Sequence, residues 1–349
     1  MDESLKVTYQ SAGVNIDEGI KVVGHIKERM KNIVFQNVLS GIGGFGGIID
    51  ISATGIKEPV LVSSIDGVGT KTKVAAAHGQ YRGVGRDIVA HCVNDIAVQG
   101  AKPLFFMDYI GVSRLDALIV DQLIAGILDE CTEQGCALLG GETAEMPGVY
   151  EYGEFDLVGC IVGIMEKKRI VTGVKIQKSD VIIGLESSGL HTNGFSLARQ
   201  VLFSDGQLTL GSVPEGFSKP VGDVLLEPHR CYGTIIQALC DSVEVKGMAH
   251  ITGGGLIENL PRILPDNVDA VIDVSTWETL PIFKLIRKMG PVDAKEMYRV
   301  FNMGIGLTVV VDKSQVAGAM DIIKKHNCPA YIIGELAEGN NKVVLNSLE

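Results

Sequence analysis

GIGGFGGIIDISATGIKEPVLVSSIDGVGTK, residues 41–71, places two glycine-rich turns on either side of one short apolar strand, and its reading decides the fold. Gly41, Gly43 and Gly46 spell G-x-G-x-x-G, and Asp66 stands 20 residues past the last of them, which superficially meets the dinucleotide-binding fingerprint. That fingerprint needs a helix directly behind the glycines, so that its N-terminal dipole meets a pyrophosphate. Here GIIDISATGIKEP is rich in turn residues and leads into another strand, EPVLVSSID (58–66), which argues against a Rossmann site. A loop that closes over phosphates through backbone N–H groups suits these glycines better, with a plain structural turn as the alternative. GVGTKT (67–72) is not a P-loop either: the earlier glycine is missing and Thr70 separates Gly69 from Lys71. What remains is Asp66, a carboxylate at the end of an apolar strand, where α/β sheets bind ligands.

Outward from this stretch, Asn15 with Glu18 reads as a helix cap, and Ile16, Ile20, Val23, Ile26 and Met30 recur at helical spacing, predicting a helix over 16–31. GRDIVAHCVNDIAVQG (85–100) predicts a largely buried helix closed by a left-handed glycine. Strands at 104–112, 136–141 and 156–165 around an amphipathic helix at 115–131 complete an α/β unit. The charge-rich, weakly periodic segment 166–180 marks a junction, giving domains 1–168 and 169–349. The second half reads as strands at 181–186, 268–274 and 305–311 with helices at 194–203, 230–241, 255–264 and 314–326. The expected class is α/β with mixed sheets.

The 349 residues exceed what one hydrophobic core usually supports, which agrees with two domains. A formal charge of −11 without any Lys/Arg run excludes a nucleic-acid or anionic-membrane partner, so phosphates would have to be held by metal ions or backbone N–H groups. Seven scattered cysteines with no CxxC pair suggest neither disulfides nor a zinc knuckle and fit a reducing cytosol. The polar start MDESLKVTYQ and the lack of any run of about 18 apolar residues predict a cytoplasmic chain that spans no membrane.

On the 85–100 helix, Asp87, His91 and Asn94 or Asp95 fall along one polar stripe of an otherwise apolar surface. A solvated face is one explanation. Asp66, Asp95 and Glu142 each sit at an element end beside glycine or small residues, a setting that fits oxygen ligands for Mg²⁺. SSGLHTNGFS (187–196) crowds hydroxyls, an amide and His191 into a turn before a helix, either as a cap or as a substrate contact. TGGGLIENLP (252–261) leads three glycines into a helix start, a prospective anion cradle.

Taken together, YQSAGVNID (9–17), GIGGFGG (41–47), DGVGTK (66–71), VNDIAVQGAKPLFFMDY (93–109), GGETAEMPGVY (140–150), SSGLHTNGFSLAR (187–199), HITGGGLIENLPRILPDN (250–267) and EMYRVFNMGIG (296–306) resemble the phosphoribosylformylglycinamidine cyclo-ligase (aminoimidazole ribonucleotide synthetase) family. The resemblance implies ATP-dependent cyclisation of formylglycinamidine ribonucleotide to 5-aminoimidazole ribonucleotide. It implies an N-terminal half-barrel domain that dimerises through its sheet, a C-terminal α/β sandwich, and an ATP site near the domain or dimer interface. Metal positions carried over are Asp66, Asp95 and Glu142. Nucleotide positions are Lys27, Gly43, Gly44, Gly46, Asp66, Thr70, Asn94 and Gly141, although Lys27 read alone is equally a polar-face helix residue. Catalytic candidates are His191, Asn193 and Lys71. The rival within the same superfamily is a thiamine-phosphate kinase or selenophosphate synthetase type of enzyme, which EMYRVFNMGIG and GGETAEMPGVY disfavour.

Overall fold

The computed structural model describes residues 15–348 apart from 32, 34 and 42. The polar N-terminal decapeptide and most of YQSAGVNID lie outside the described residues. Helix α1 (Ile16–Met30) begins at the expected cap, where the Asn15 side-chain carbonyl accepts the Glu18 amide at 3.2 Å. Strand β1 (Pro59–Gly67) alternates exposed and half-buried residues, the pattern of a strand covered on one face only. Helix α2 (Lys71–His78), not foreseen, starts directly after GVGT, and α3 (Arg82–Ala97) opens three residues before the expected position 85. β2 (Lys102–Val112), α4 (Ala117–Glu133), β3 (Ala137–Glu145) and β4 (Phe155–Glu166) follow the sequence reading closely.

The four strands run in the order β1-β4-β2-β3, antiparallel except for the β2–β3 pair. Their register puts Asp66, Gly159, Asp108 and Gly141 in one row, and Gly67, Val158, Tyr109 and Glu142 in the next. Adjacent rows point to opposite faces. α3 and α4 cover the Asp66 face, crossing so closely that a Cβ on Gly85 or Gly126 would strike the other helix's backbone. Ile88, Phe106, Ile110, Leu123 and Ile161 fill that layer without exposure, each contributing roughly 1.5–3 kcal/mol by burial. The other face leaves Leu61, Ile65 and Met107 at 55%, 69% and 37% exposure.

After the charged junction come β5 (Val181–Glu186), α5 (Phe195–Phe203), α6 (Val221–Leu225), α7 (Gly233–Ser242), β6 (Val245–His250), α8 (Gly255–Asn259) and β7 (Val268–Asp273). α9 (Pro281–Met289), α10 (Ala294–Val300), β8 (Ile305–Val311), α11 (Val316–Lys325), β9 (Ala330–Glu338) and β10 (Val343–Asn346) complete the chain. Six strands order as β10-β7-β9-β5-β8-β6. β8 is buried at every residue because apolar side chains meet it from both sides. Leu307 and Val309 join Ile235, Leu239 and Ile323 of α7 and α11, while Ile305 and Val310 join the cluster that contains Leu256, Ile282 and Phe283. The fold is therefore mixed α/β with two sheets. β6, β9, β10, α9 and α10 had not been read from the sequence.

Candidate active site

The polar stripe of α3 is not a solvated face. Asp87 and Asn94 are wholly buried and His91 is nearly so, because the stripe meets residues 187–193 and 227–232 of the second half. Helical spacing delivers three different partners along one line: Asp87 takes the His229 amide at 2.7 Å, His91 meets Thr192, and Asn94 meets Tyr232.

At the end of that line two carboxylates converge. The Ser64 hydroxyl lies 3.0 Å from Asp66 and 3.3 Å from Asp95, so one residue bridges both. Burial, and then the negative charge of Asp95, push Asp66 up to about 6. Asp95 moves the opposite way. Burial alone would raise it, but the hydrogen bond and charge of His250 outweigh that and hold it well below the usual carboxylate range. The His250 Nδ1 to Asp95 distance is 2.7 Å.

Four imidazoles surround the pair. His91 Nε2 lies 3.5 Å from Asp66, and its Nδ1 lies 2.7 Å from the Thr192 hydroxyl. His229 Nδ1 is 3.4 Å from the same hydroxyl and its Nε2 is 3.1 Å from His250 Nε2. His191 stacks on His229 with centroids 3.9 Å apart and adopts φ +61, a left-handed backbone that costs a non-glycine residue about 1–2 kcal/mol. Burial lowers His91 to about 4, and lowers His191 and His229 well below the ordinary histidine value, so all three are neutral at pH 7.

Two expectations are corrected here. Lys71, read as catalytic, turns into the interior: its ammonium has no exposure, pairs with Asp87 at 2.7 Å and donates to the Glu227 carbonyl at 2.9 Å. Asn94, read as a nucleotide contact, spends both ends on backbone, accepting from Tyr232 N at 2.7 Å and donating to Arg230 O at 3.0 Å. Together with Asp87, these residues clamp the irregular segment 227–232 and so fix His229. Thr70 bridges the two halves at the rim, its hydroxyl 3.0 Å from that of Ser196.

Glu142 is the third correction. It lies three strands across from β1, roughly 14 Å away at ordinary strand spacing, and its row points to the other face. Within one chain it does not join Asp66 and Asp95. Instead, Glu142 and Gly141 line a cavity of about 1010 Å³ with Lys27, Gly43, Gly44 and Gly46. The exposed α1 residues Ile20 and Val23 face it as well. The Lys27 ammonium stands 3.1 Å from where a Gly43 Cβ would be. A Cβ on Gly141 would collide with the carboxyl of Asp108, which lines the same cavity and is raised to about 7 by burial. The sequence readings thus divide between two places: the carboxylate and histidine centre, and the glycine-lined cavity.

Asn193 faces the second glycine turn, its side-chain oxygen 3.3 Å from a Cβ built on Gly253. That turn is held from within, since Asn259 donates to the carbonyls of Gly253 and Gly255 at 3.2 and 2.8 Å. Sequence reasoning missed His229, His250, Thr192 and Asp108 as site residues. His250 ends β6, a strand that was itself unread, and its place before the glycine turn was the available signal. His229 sits in an irregular segment and carried none.

The comparisons with known proteins bear on the family and the fold. Residues 47–165 match the family described as "AIR synthase related protein, N-terminal domain" and residues 177–346 its C-terminal counterpart. A phosphoribosylformylglycinamidine cyclo-ligase of Carboxydothermus hydrogenoformans is 49% identical across 98% of this chain and 99% of its own. Among solved structures, a thiamine-monophosphate kinase from Stenotrophomonas maltophilia superposes with a TM-score of 0.70 at 18% identity, covering 93% of this chain and 95% of that one. The hydrogenase maturation protein HypE in complex with ATP gives 0.67 at 14%, covering 94% and 90%. At such identities these two show the shared fold alone.

Proposed function

The chain belongs to the AIR synthase family, and from that membership we propose that it closes the imidazole ring of formylglycinamidine ribonucleotide in purine biosynthesis, consuming ATP. The observation that carries this reading is near-full-length identity of 49% to a curated cyclo-ligase, with both chains covered almost end to end. In the proposed reaction the formyl-type oxygen attacks the γ-phosphorus and the bond to ADP breaks. The amidine nitrogen then attacks the activated carbon, a C–N bond forms, and phosphate departs with the oxygen. ATP is needed because that oxygen is otherwise a poor leaving group.

Asp66 and Asp95 fit Mg²⁺. The two carboxylates meet at one hydroxyl and the charge of Asp95 makes ionisation of Asp66 costly, a cost that a hard cation with oxygen preference relieves. Bound there, the ion would neutralise phosphate charge during transfer. The chain's own contribution is placement: His250 holds Asp95, Thr192 and Ser64 hold His91 and the carboxylates, and the clamp fixes segment 227–232. No side chain of the centre needs to act as a nucleophile. Glu142, Lys27 and the glycine loop are proposed to receive the nucleotide in their own cavity.

Both places are proposed to meet in a homodimer packed through the apolar outer face that carries Leu61, Ile65 and Met107. A domain division at 168/169 and a cytoplasmic location belong to the same proposal; among the described residues no helix is long and apolar enough to cross a membrane. A coupled assay with formylglycinamidine ribonucleotide and MgATP, following ADP and the imidazole product together, tests the reading. Stimulation of ADP release by thiamine phosphate and not by the ribonucleotide would transfer the chain to the kinase reading.

A further inference from the structure

Among the described residues four acidic side chains are buried: Asp87, Asp108, Glu130 and Asp180. Three of them face a cation. Asp87 meets Lys71 at 2.7 Å, Glu130 meets Arg86 at 2.6 Å and Asp180 meets Lys246 at 2.5 Å. Asp108, only 8% exposed, has no such partner, and the one hydrogen bond acting on it comes from its own backbone amide. Buried carboxyls are ordinarily paired, so an unpaired one beside a cavity is a candidate for pairing with what the cavity receives.

The strand beside Asp108 shows where its carboxyl points. β2 pairs with the edge strand β3, which sets Met107 beside Gly140 and Asp108 beside Gly141. Neither glycine has a positive φ, so the backbone does not require them. Glycine inside a strand weakens it and marks a place where another group approaches closely. A Cβ on Gly141 would lie 2.4 Å from Asp108 Oδ1, whereas one on Gly140 would meet nothing within 4 Å. The carboxyl therefore leans across the edge strand, through a gap that a side chain at 141 would close, into the cavity of about 1010 Å³. Ile20, Val23, Ile124 and Leu139 give that cavity apolar walls. An apolar slot with one hydrogen-bonding group at its side suits a flat heteroaromatic ring gripped by its edge.

We propose that Asp108 selects the base of the nucleotide, its carboxyl accepting from the exocyclic amino group of adenine and donating to the ring nitrogen beside it. The inference rests on the reading that this cavity receives the nucleotide. Burial keeps a proton on the carboxyl up to about pH 7, so it offers an O–H donor next to a C=O acceptor. Adenine presents the matching pair, an amino donor next to a ring-nitrogen acceptor. Guanine presents two acceptors, N7 and O6, on one edge and two donors on the other, and the carboxyl could satisfy only half of either.

The test is calorimetric titration of the full chain, at pH 7 with Mg²⁺, with ATP, GTP and purine riboside triphosphate, which lacks the amino group. ATP should bind more tightly than either by roughly 10-fold or more. Asp108→Ala should bring ATP down to the level of the other two, and Asp108→Leu serves if the alanine variant does not fold. Asp108→Asn should keep most of the preference, because a carboxamide offers the same donor and acceptor. Lys27→Ala, which alters the same cavity away from the base, should weaken all three ligands alike. A preference that survives in Asp108→Ala, or an equal loss for all three ligands there, would overturn the inference while leaving the nucleotide in the cavity. ATP binding unchanged in Lys27→Ala and in Asp108→Ala would overturn the reading of the cavity and the inference with it.

Discussion

The two regions that the sequence pointed to are built in opposite ways. Around Asp66 and Asp95 almost every polar side chain has a fixed partner, and the partners come from both halves of the chain: α3, residues 187–193, residues 227–232 and the end of β6. Around the glycine cavity the walls are α1, the 41–47 loop and the outer edge of β3, with apolar side chains left exposed and Lys27 reaching over Gly43. Phosphoryl transfer depends chiefly on positioning and charge neutralisation, so a rigid centre belongs where charge develops. A loosely held cavity suits the arrival and release of a nucleotide.

The sharpest way to break this contrast is to loosen the rigid side. Lys71→Met strands Asp87 as a buried charge, and chemical denaturation should show a loss of about 3–5 kcal/mol, most of it recovered in Lys71→Met with Asp87→Leu. A loss in turnover with unchanged stability would instead restore Lys71 to catalysis. On the loose side, Asp108 gives a pH signature. Its carboxyl is raised from the ordinary 3.8 to about 7, so between those values the folded chain keeps a proton that the unfolded chain releases. Stability from this group is therefore lost as pH rises from about 4 to about 7, and stays lost above. Asp108→Asn should unfold like the parent near pH 4 and be more stable by on the order of 3 kcal/mol at pH 8; parallel stability curves would reject a buried, proton-retaining carboxyl.

Asp95→Asn removes a proposed metal ligand without disturbing the core. Steady-state ADP release should fall at least about 10²-fold, near 2.7 kcal/mol, while the chain still folds, with a somewhat lower unfolding midpoint because the charged pairing with His250 is lost. Near-normal turnover would remove Asp95 from the centre. The smallest effect belongs to the seam between α1 and α4, where Arg29 pairs with Asp121 at 2.5 Å in a partly exposed position. Arg29→Ala should cost under about 1 kcal/mol, and a larger loss measured by denaturation would show that α1 is anchored more firmly than the cavity's openness suggests.

How much of this was legible follows from the range of each signal. The α3 stripe could be read because helical spacing is local, and so could Asn15, β1 and the strand end that carries Asp66. What the stripe faces could not be read, because its partners lie about a hundred residues or more away in irregular segments. Lys71 misled because DGVGTK resembles a phosphate loop, while the structure starts a helix at that residue and turns its side chain inward. Glu142 misled through parity: in a strand one residue decides the face, and its neighbour Gly141, not Glu142, shares the row of Asp66.

The central claim is that Asp66 and Asp95 hold a divalent ion against the triphosphate. The most direct measurement is the anomalous signal of Mn²⁺ in crystals of the chain grown with a non-hydrolysable ATP analogue. The expected result is a peak in contact with both carboxylates and with phosphate oxygens. Triphosphate and metal bound together elsewhere, with Asp66 and Asp95 touching neither, would contradict it.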